Sequence, residues 1–208
     1  MKVKIIYSVI LFTIIAGCSR HIIITPFVGY HQIESRTHIN SFKQIDFSKA
    51  KDIALTVNND FKLSLADSVL QCEDSSLTNY QVFKFTTDFS KQYRINVIAY
   101  AFGKMEQAYV FVPQIKVFDG KLHPVEIKRD SSVTVNQYYD KSLYRLAWVF
   151  KQSMPNDYYL VVYSDNNKLG RLLDTYDCDF STGYVHYHYH VLVNSTLFGE
   201  FRIRIENL

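Results

Sequence analysis

The sequence predicts an all-β protein, an antiparallel β-sandwich with few short helices, and three observations favour it. Apolar and polar residues alternate with a period of two in many short runs, which is typical of strands with one buried face. Val, Ile, Tyr and Phe dominate these runs, and the 16 Tyr and 15 Phe are side chains that fit a pleated sheet. Turn-forming residues separate the runs, with no long amphipathic helices between them. A sandwich lets many such strands bury one face each.

The predicted strands follow one another from residue 60 to the end of the chain. They cover residues 60–66, 80–85, 94–102, 109–118, 142–150, 158–163, 184–193 and 200–205. Turns are predicted at Asp119-Gly120, Pro155-Asn156-Asp157 and Asp165-Asn166-Asn167, because these residue types favour chain reversal. Two short segments, 64–70 and 169–176, are the candidates for helices.

The N-terminal residues 1–17 have the features of a bacterial lipoprotein signal peptide. Lys2 and Lys4 precede an apolar run over residues 5–16, which is shorter than the roughly 20 residues that span a bilayer. A positive start, a short apolar stretch and small residues at the cut are typical of an export signal. Residues 15–18, IAGC, resemble the lipobox, in which the cysteine is acylated and becomes the new N-terminus. The sequence therefore predicts cleavage before Cys18 and lipidation of its thiol.

Cleavage there leaves 191 of the 208 residues, enough for one domain with a hydrophobic core. Residues 18–40 have no steady period and are predicted to be a lipidated tether, with a candidate strand at 22–24. Residues 41–208 are predicted to be a single β-sandwich domain. Ser19 follows the lipidated cysteine where an aspartate would favour the inner membrane. By resemblance to enterobacterial sorting rules, this favours the periplasmic face of the outer membrane.

The charge balance argues against nucleic acid as a partner. The chain has 23 Lys and Arg against 20 Asp and Glu. The signal peptide holds two of the basic residues and none of the acidic ones, which leaves 21 against 20 in the mature chain. A nucleic-acid-binding surface needs a concentrated positive patch. The expected partner is instead the membrane, through the N-terminal lipid.

Cys72 and Cys178 remain after lipidation of Cys18, and we expect them to form a disulfide. An even number of cysteines in an exported protein is typical of disulfide bonding. Closing so long a loop would contribute about 4 kcal/mol in the chain-entropy model. The alternative, two unpaired buried thiols, stays open because a sequence does not show that two residues meet.

Three stretches of the chain carry a resemblance to a known family. They are residues 110–119 (VFVPQIKVFD) followed by 123–125 (HPV), residues 158–164 (YYLVVYS) followed by 172–174 (LLD), and residues 199–205 (GEFRIRI). In this order and spacing they resemble the maltose operon periplasmic protein (MalM) family, from about residue 40 to the end. The resemblance implies an exported accessory protein linked to carbohydrate uptake, and it offers no site residues to carry over. The lipobox distinguishes this chain from the soluble periplasmic members.

No catalytic site, cofactor or metal site is predicted. The serines lack the Gly-x-Ser-x-Gly elbow of acyl hydrolases. The paired carboxylates Glu73 and Asp74, and Asp177 with Asp179, are expected in solvated loops. A glycosidase would need two carboxylates at a defined separation across a cleft.

The histidines of residues 186–190, HYHYH, are the most conspicuous motif. On a strand, His186, His188 and His190 share one face, with neighbours about 6.8 Å apart. Two histidines in an H-x-H pair can hold zinc when a third ligand comes from elsewhere. No carboxylate or cysteine lies nearby in the sequence, so a solvated histidine face is preferred to a metal site.

The aromatic residues admit two interpretations. Tyr138, Tyr139, Tyr144 and Trp148 could stack on sugar rings, but burial in the core is preferred because large aromatics are mostly buried. The resulting expectation is a non-enzymatic lipoprotein that assists maltose- or maltodextrin-type transport by contact with the sugar or with envelope proteins. The alternative is a structural or assembly lipoprotein of a secretion or surface machine.

Overall fold

The computed structural model describes residues 26–88, 92–104, 107–138, 141–152, 156–182 and 185–208. In these ranges the chain forms one α-helix, α1 (Pro26–Glu34), and three short 3-10 helices, η1 (Phe42–Gln44), η2 (Phe47–Lys49) and η3 (Asn166–Lys168). The remaining elements are strands: β1 (His38–Ile39), β2 (Lys51–Asp52), β3 (Asn59–Leu63), β4 (Val69–Gln71), β5 (Leu77–Thr86), β6 (Gln92–Tyr100), β7 (Phe102–Lys104), β8 (Gln107–Phe111), β9 (Pro113–Asp119), β10 (Pro124–Val125), β11 (Lys128–Tyr138), β12 (Lys141–Lys151), β13 (Asp157–Ser164), β14 (Leu172–Thr182), β15 (Val185–Thr196) and β16 (Gly199–Asn207).

The strands assemble into three sheets. The first sheet has the order β1-β4-β5-β13-β9-β10, with β2 also pairing with β5. The second sheet has the order β11-β12-β6-β16-β3, and the third has the order β14-β15-β8-β7. Among the described strands, the pairings are antiparallel except β1 with β4, β2 with β5, and β8 with β15. The predicted antiparallel β-sandwich is therefore confirmed.

One hydrophobic core joins the three sheets. In the second sheet the inward residues alternate with polar ones, as in β16, where Phe201, Ile203 and Ile205 are fully buried and lie between Glu200, Arg202, Arg204 and Glu206. Side chains from the first and third sheets complete the same core, among them Phe83, Phe85, Leu160, Val162, Phe111 and Val193. Burying an apolar side chain of this size contributes about 1.5–3 kcal/mol, so this core is the main source of stability.

The outer face of the first sheet is also covered. Residues 39–50, here called the covering segment, pack Phe42, Ile45 and Phe47 on Val82, Phe118 and Val161 of the sheet. The Phe47 ring lies 5.2 Å from the ring centroids of both Phe118 and Tyr159. Ser41 and Asp46 accept hydrogen bonds from the backbone N–H groups of Lys43 and Ser48, which caps η1 and η2.

The α1 helix closes one end of the sandwich. Ile33 is fully buried in a small cluster with Val69, Leu77 and Leu197, and Arg36 donates hydrogen bonds to the carbonyls of Leu65 and Ala66. Residues 26–40, which make up most of the predicted tether, are therefore folded onto the domain. This helix was not predicted, because one buried face of a short helix needs few apolar residues. The candidate strand at 22–24 lies outside the described residues.

Several predicted boundaries were wrong. The predicted strand 109–118 is two strands, because the chain leaves the third sheet after β8 and enters the first sheet with β9. Val112 between them accepts a hydrogen bond from the Asp165 N–H, and Pro113 has no N–H to continue a ladder. The helix candidate 64–70 is a turn leading into β4, and the candidate 169–176 leads into β14. Strand β11 was missed.

No helix in the described part of the chain is long and apolar enough to cross a membrane.

Candidate functional site

A groove of about 390 Å³ opens beside the loop between β4 and β5. We call it the Cys72 groove. The loop supplies Cys72, Glu73, Asp74 and Ser76, and the covering segment supplies Phe42. The first sheet and the segment that continues from it into η3 supply the rest: Gln114, Lys116, Tyr163, Ser164, Asp165, Asn166 and Asn167. Four segments that are distant in the sequence therefore meet in one site.

The loop from Cys72 to Ser76 is a tight reversal. The Cys72 N–H donates to the Ser76 carbonyl at 2.8 Å, and the Ser75 N–H donates to the Cys72 carbonyl at 2.9 Å. The Asp74 carboxylate accepts hydrogen bonds from the Ser76 hydroxyl at 2.7 Å and from its N–H at 3.0 Å. These hydrogen bonds, led by the one from the Ser76 hydroxyl, lower the pKa of Asp74. Asp74 is thus ionised at neutral pH and holds the shape of the loop.

Lys116 of β9 is the one cationic side chain among the described residues that line the groove. Its Nζ atom lies 4.1 Å from the centroid of the Phe42 ring and 2.9 Å from Glu73 Oε1. The hydrogen bond from Lys116 lowers the pKa of Glu73. Because the Glu73 side chain is 86% exposed, water screens this ion pair and it stabilises the fold little. It does hold the ammonium group over the aromatic ring.

Two groups in the groove are protonated at neutral pH. Burial, followed by the nearby charge of Asp74, raises the pKa of Cys72 to about 11. Burial also raises the pKa of Tyr163, and the neighbouring Cys72 and Asp165 add to the effect. The thiolate is the nucleophilic form of cysteine. Cys72 therefore offers a neutral thiol and Tyr163 a neutral phenol.

The remaining wall of the groove carries amides and a carboxylate. Gln114 Nε2 donates to Asp165 Oδ2 at 3.2 Å, and Asn166 Nδ2 donates to the Leu77 carbonyl. Asn166 Oδ1 accepts no hydrogen bond from any described residue. Tyr163 contacts the Phe42 ring edge to face, with the two centroids 5.5 Å apart. The wall therefore joins an aromatic pair to planar polar groups.

The cysteine prediction meets the structure only in part. Cys72 is half-buried and has a free thiol, and Cys178 lies on β14 with its side chain outside the described set. The disulfide is not formed in this structure and stays a prediction. Cys18 also lies outside the described residues.

The aromatic residues that were predicted as candidates for sugar stacking are not among the described residues that line the Cys72 groove. Trp148 is 5% exposed and belongs to the core, and Tyr144 packs half-buried against the same core. Tyr138 lies on β11 with its side chain outside the described set, and Tyr139 lies outside the described residues. The preference for a core position is confirmed for Trp148. The aromatic residues of the groove, Phe42 and Tyr163, had no signal that distinguished them from other strand aromatics.

The predictions for the carboxylates and for the histidines had different outcomes. Glu73 and Asp74 lie in a solvated loop, as predicted, but Asp177 and Asp179 lie on β14. The loop prediction for that pair was wrong because alternating Thr, Asp and Ser residues hid a strand whose partner comes later in the chain. His186, His188 and His190 lie on β15 as predicted.

A second groove, of about 560 Å³, lies on the outer face of the second sheet. Arg202 crosses it and binds Asp60 with both ends of its guanidinium, at 2.7 and 2.9 Å. The same guanidinium lies 5.8 Å from the centroid of the Tyr100 ring. Arg202 and Asp60 therefore neutralise each other, which makes the Cys72 groove the stronger candidate for binding.

Comparison with known proteins adds little. No family model matches the chain, and no curated protein matches it. Among solved structures, the pre-peptidase C-terminal domain of a collagenase from Bacillus anthracis is similar over 82% of this chain and 99% of that domain. The sequence identity is 10% and the TM-score is 0.27, so this likeness carries no argument about function.

Proposed function

We propose that this chain is a non-enzymatic lipoprotein, held to the periplasmic face of the outer membrane through Cys18, that assists carbohydrate transport. In this proposal the Cys72 groove binds a sugar of the maltodextrin type. The signal-peptide features of residues 1–18 support the anchor, and the resemblance to the maltose operon periplasmic protein family supports the link to sugar. The remaining support comes from the chemistry of the groove.

The observation that carries the proposal is the pairing of an aromatic wall with planar polar groups. Sugar rings pack their C–H faces on aromatic side chains, here Phe42 and Tyr163. Their hydroxyls exchange hydrogen bonds with amides and carboxylates, here Gln114, Asp165 and Asn166. A volume of about 390 Å³ lies within the usual range for small-ligand pockets, about 300–1,000 Å³.

The ionisation states in the groove favour binding over catalysis. General acid–base catalysis works best with a group whose pKa lies near the operating pH. In the groove the pKa of Cys72 is raised to about 11, while the pKa values of Glu73 and Asp74 are lowered. These three groups are displaced away from neutrality, so none of them suits proton transfer at pH 7.

Calorimetry with maltodextrin and the purified full chain tests the proposed binding. We expect Asp165→Ala to weaken binding at least about 10-fold, because a lost hydrogen bond to a charged group contributes roughly 1.5–3 kcal/mol. Glu200→Ala, in the second groove, is the matched control and should leave the affinity unchanged. Absence of binding to the wild-type chain, or equal losses in both variants, would contradict the proposal.

Labelling of cells with a fatty-acid analogue tests the anchor in the same strain. The wild-type protein should carry the label and Cys18→Ala should not. Cross-linking in these cells separates the two classes of function. Cross-links to a sugar porin support the transport role, and cross-links confined to secretion-machine proteins would favour the structural or assembly lipoprotein.

A further inference from the structure

The hairpin formed by β14 and β15 brings histidines and aspartates together across two strands. In the strand register, Asp177 pairs with His190, and Asp179 pairs with His188. Opposed residues of an antiparallel pair share a face and lie about 4.5–5.5 Å apart. Along each strand, residues two apart lie about 6.8 Å apart. Four residues of metal-ligating type therefore occupy the corners of a rectangle of about 5 by 7 Å on one face.

This part of the hairpin extends past the rest of its sheet. Residues 192–196 of β15 pair with β8 as well as β14, whereas residues 185–191 pair with β14 alone among the described strands. A two-stranded ribbon is marginally stable by itself in water. His188 and His190 are both exposed. The two histidines are thus accessible to solvent, and no third strand among the described residues pairs with this part of the ribbon.

We propose that this ribbon face binds a divalent transition-metal ion such as Zn²⁺, through His188 and His190 on β15 and through Asp177 and Asp179 on β14. Imidazole nitrogen and carboxylate oxygen bind Zn²⁺ at about 2.0–2.2 Å, and opposed residues at these spacings can converge on one ion. The mixed ligands favour Zn²⁺, Cu²⁺ or Ni²⁺ over Ca²⁺ and Mg²⁺, which prefer oxygen alone. The ion would link strands β14 and β15 to each other.

The sequence alone favoured a solvated histidine face because no carboxylate stands near residues 186–190 along the chain. The register supplies what was missing, since Asp177 and Asp179 precede the histidine run by nine and seven residues and pair with His190 and His188 across the strands. Among the side chains that the structure describes, no group of three or more His, Cys, Asp or Glu forms a metal site. The aspartate side chains are not in that set, so the inference rests on the backbone register.

Calorimetry with Zn²⁺ and the purified full chain in detergent tests the site. We expect one ion per chain. The double variants His188→Gln/His190→Gln and Asp177→Asn/Asp179→Asn should each weaken binding at least about 10-fold, because each loses two ligands. The control His31→Gln/His123→Gln changes two other exposed histidines, whose side chains are 76% and 73% exposed, and should keep the wild-type affinity.

Two results would overturn the proposal. One is wild-type affinity no tighter than that of the histidine variant, and the other is full affinity in the aspartate variant, which would indicate histidines acting alone. A second measurement, on the wild-type chain, tests the site even if a variant folds poorly. Zn²⁺ should raise the melting temperature of the wild-type chain, and an unchanged melting temperature would also count against the site. Both readouts are independent of sugar binding and of the lipid anchor.

Discussion

The two outer faces of the sandwich differ in what covers them. The outer face of the first sheet carries Tyr80, Val82, Phe118 and Val161, and the covering segment packs on it. The outer face of the second sheet is open to solvent and carries ion pairs, including Arg94 with Asp130 at 3.0 Å and Arg202 with Asp60 at 2.7 Å. One sheet is buried on both sides and the other on one side.

The sequences of the strands reflect this difference. Strand β16, GEFRIRIEN, alternates strictly because its outer residues meet water. Strand β13, DYYLVVYS, is nearly continuous in apolar residues because both of its faces are covered. A run without alternation in an antiparallel sheet therefore indicates a second covering layer. Here that layer is residues 39–50, which belong to the folded domain.

The largest expected effect comes from opening the covered face. Ile45 of the covering segment is 6% exposed, and Ile45→Ala should lower the free energy of unfolding by about 2–4 kcal/mol through lost burial and a cavity. Ile98→Ala is the matched control on the outer face of the second sheet, where the side chain is half-buried, and should cost about 1 kcal/mol or less. Urea denaturation of both variants measures the difference. Equal losses would show that the covering segment contributes no more than an open face.

A smaller effect is expected from the polar network of the open face. Asn96 is 2% exposed and accepts a hydrogen bond from Arg145 Nη2 at 2.7 Å, while its own amide donates to Glu206. Asn96→Ala should cost about 2 kcal/mol, since hydrogen bonds to charged groups contribute roughly 1.5–3 kcal/mol. A double-mutant cycle with Arg145→Met measures the coupling. Additive effects would mean that the two side chains act independently.

The smallest effect is expected at the exposed ion pair. The hydrogen bond from Arg202 lowers the pKa of Asp60 from its ordinary value of 3.8. A lowered pKa gives stability that is complete above the unfolded-state value and is lost as pH falls through the folded-state value. The Asp60 side chain is 59% exposed, so Asp60→Asn should cost less than about 1 kcal/mol at pH 7.

The loss caused by Asp60→Asn should shrink below pH 3.8 and in 1 M salt, where screening is strong. Thermal unfolding from pH 7 to pH 2 measures it, with Asp52→Asn on β2 as a control that lacks the Arg202 contact. A loss that is constant over this range would assign the effect to packing.

Much of the fold was predictable because its signals are local. The period-two runs located β5, β6, β12, β13, β15 and β16 to within a few residues, and Asp119-Gly120 marked the turn after β9. The failures have non-local causes. Strand β14 has a polar sequence and becomes a strand through pairing with β15, and β8 and β9 share one apolar run although they belong to different sheets.

The candidate sites depend even more on long-range contacts. Phe42 and Tyr163 meet across about half the chain because the covering segment packs on β13. The pairing of Asp179 with His188 depends on the register of the β14–β15 hairpin, and β14 was not predicted as a strand. Sequence reasoning could name Glu73, Asp74 and the three histidines as polar candidates. It did not predict which residues would lie beside them in the fold.

The start of α1 limits how far the domain can lie from the lipid anchor proposed at Cys18. Seven residues lie between Cys18 and Pro26, and the eight steps from one Cα atom to the next, at about 3.5 Å each, reach at most about 28 Å. With the proposed lipid on Cys18, the start of α1 would stay within a layer about as thick as the bilayer core, about 30 Å. Leu77 connects this end to the Cys72 groove, because its N–H contacts the Tyr30 hydroxyl and its carbonyl binds Asn166. Under the proposed function, the groove would then search for its ligand in two dimensions, along the membrane surface.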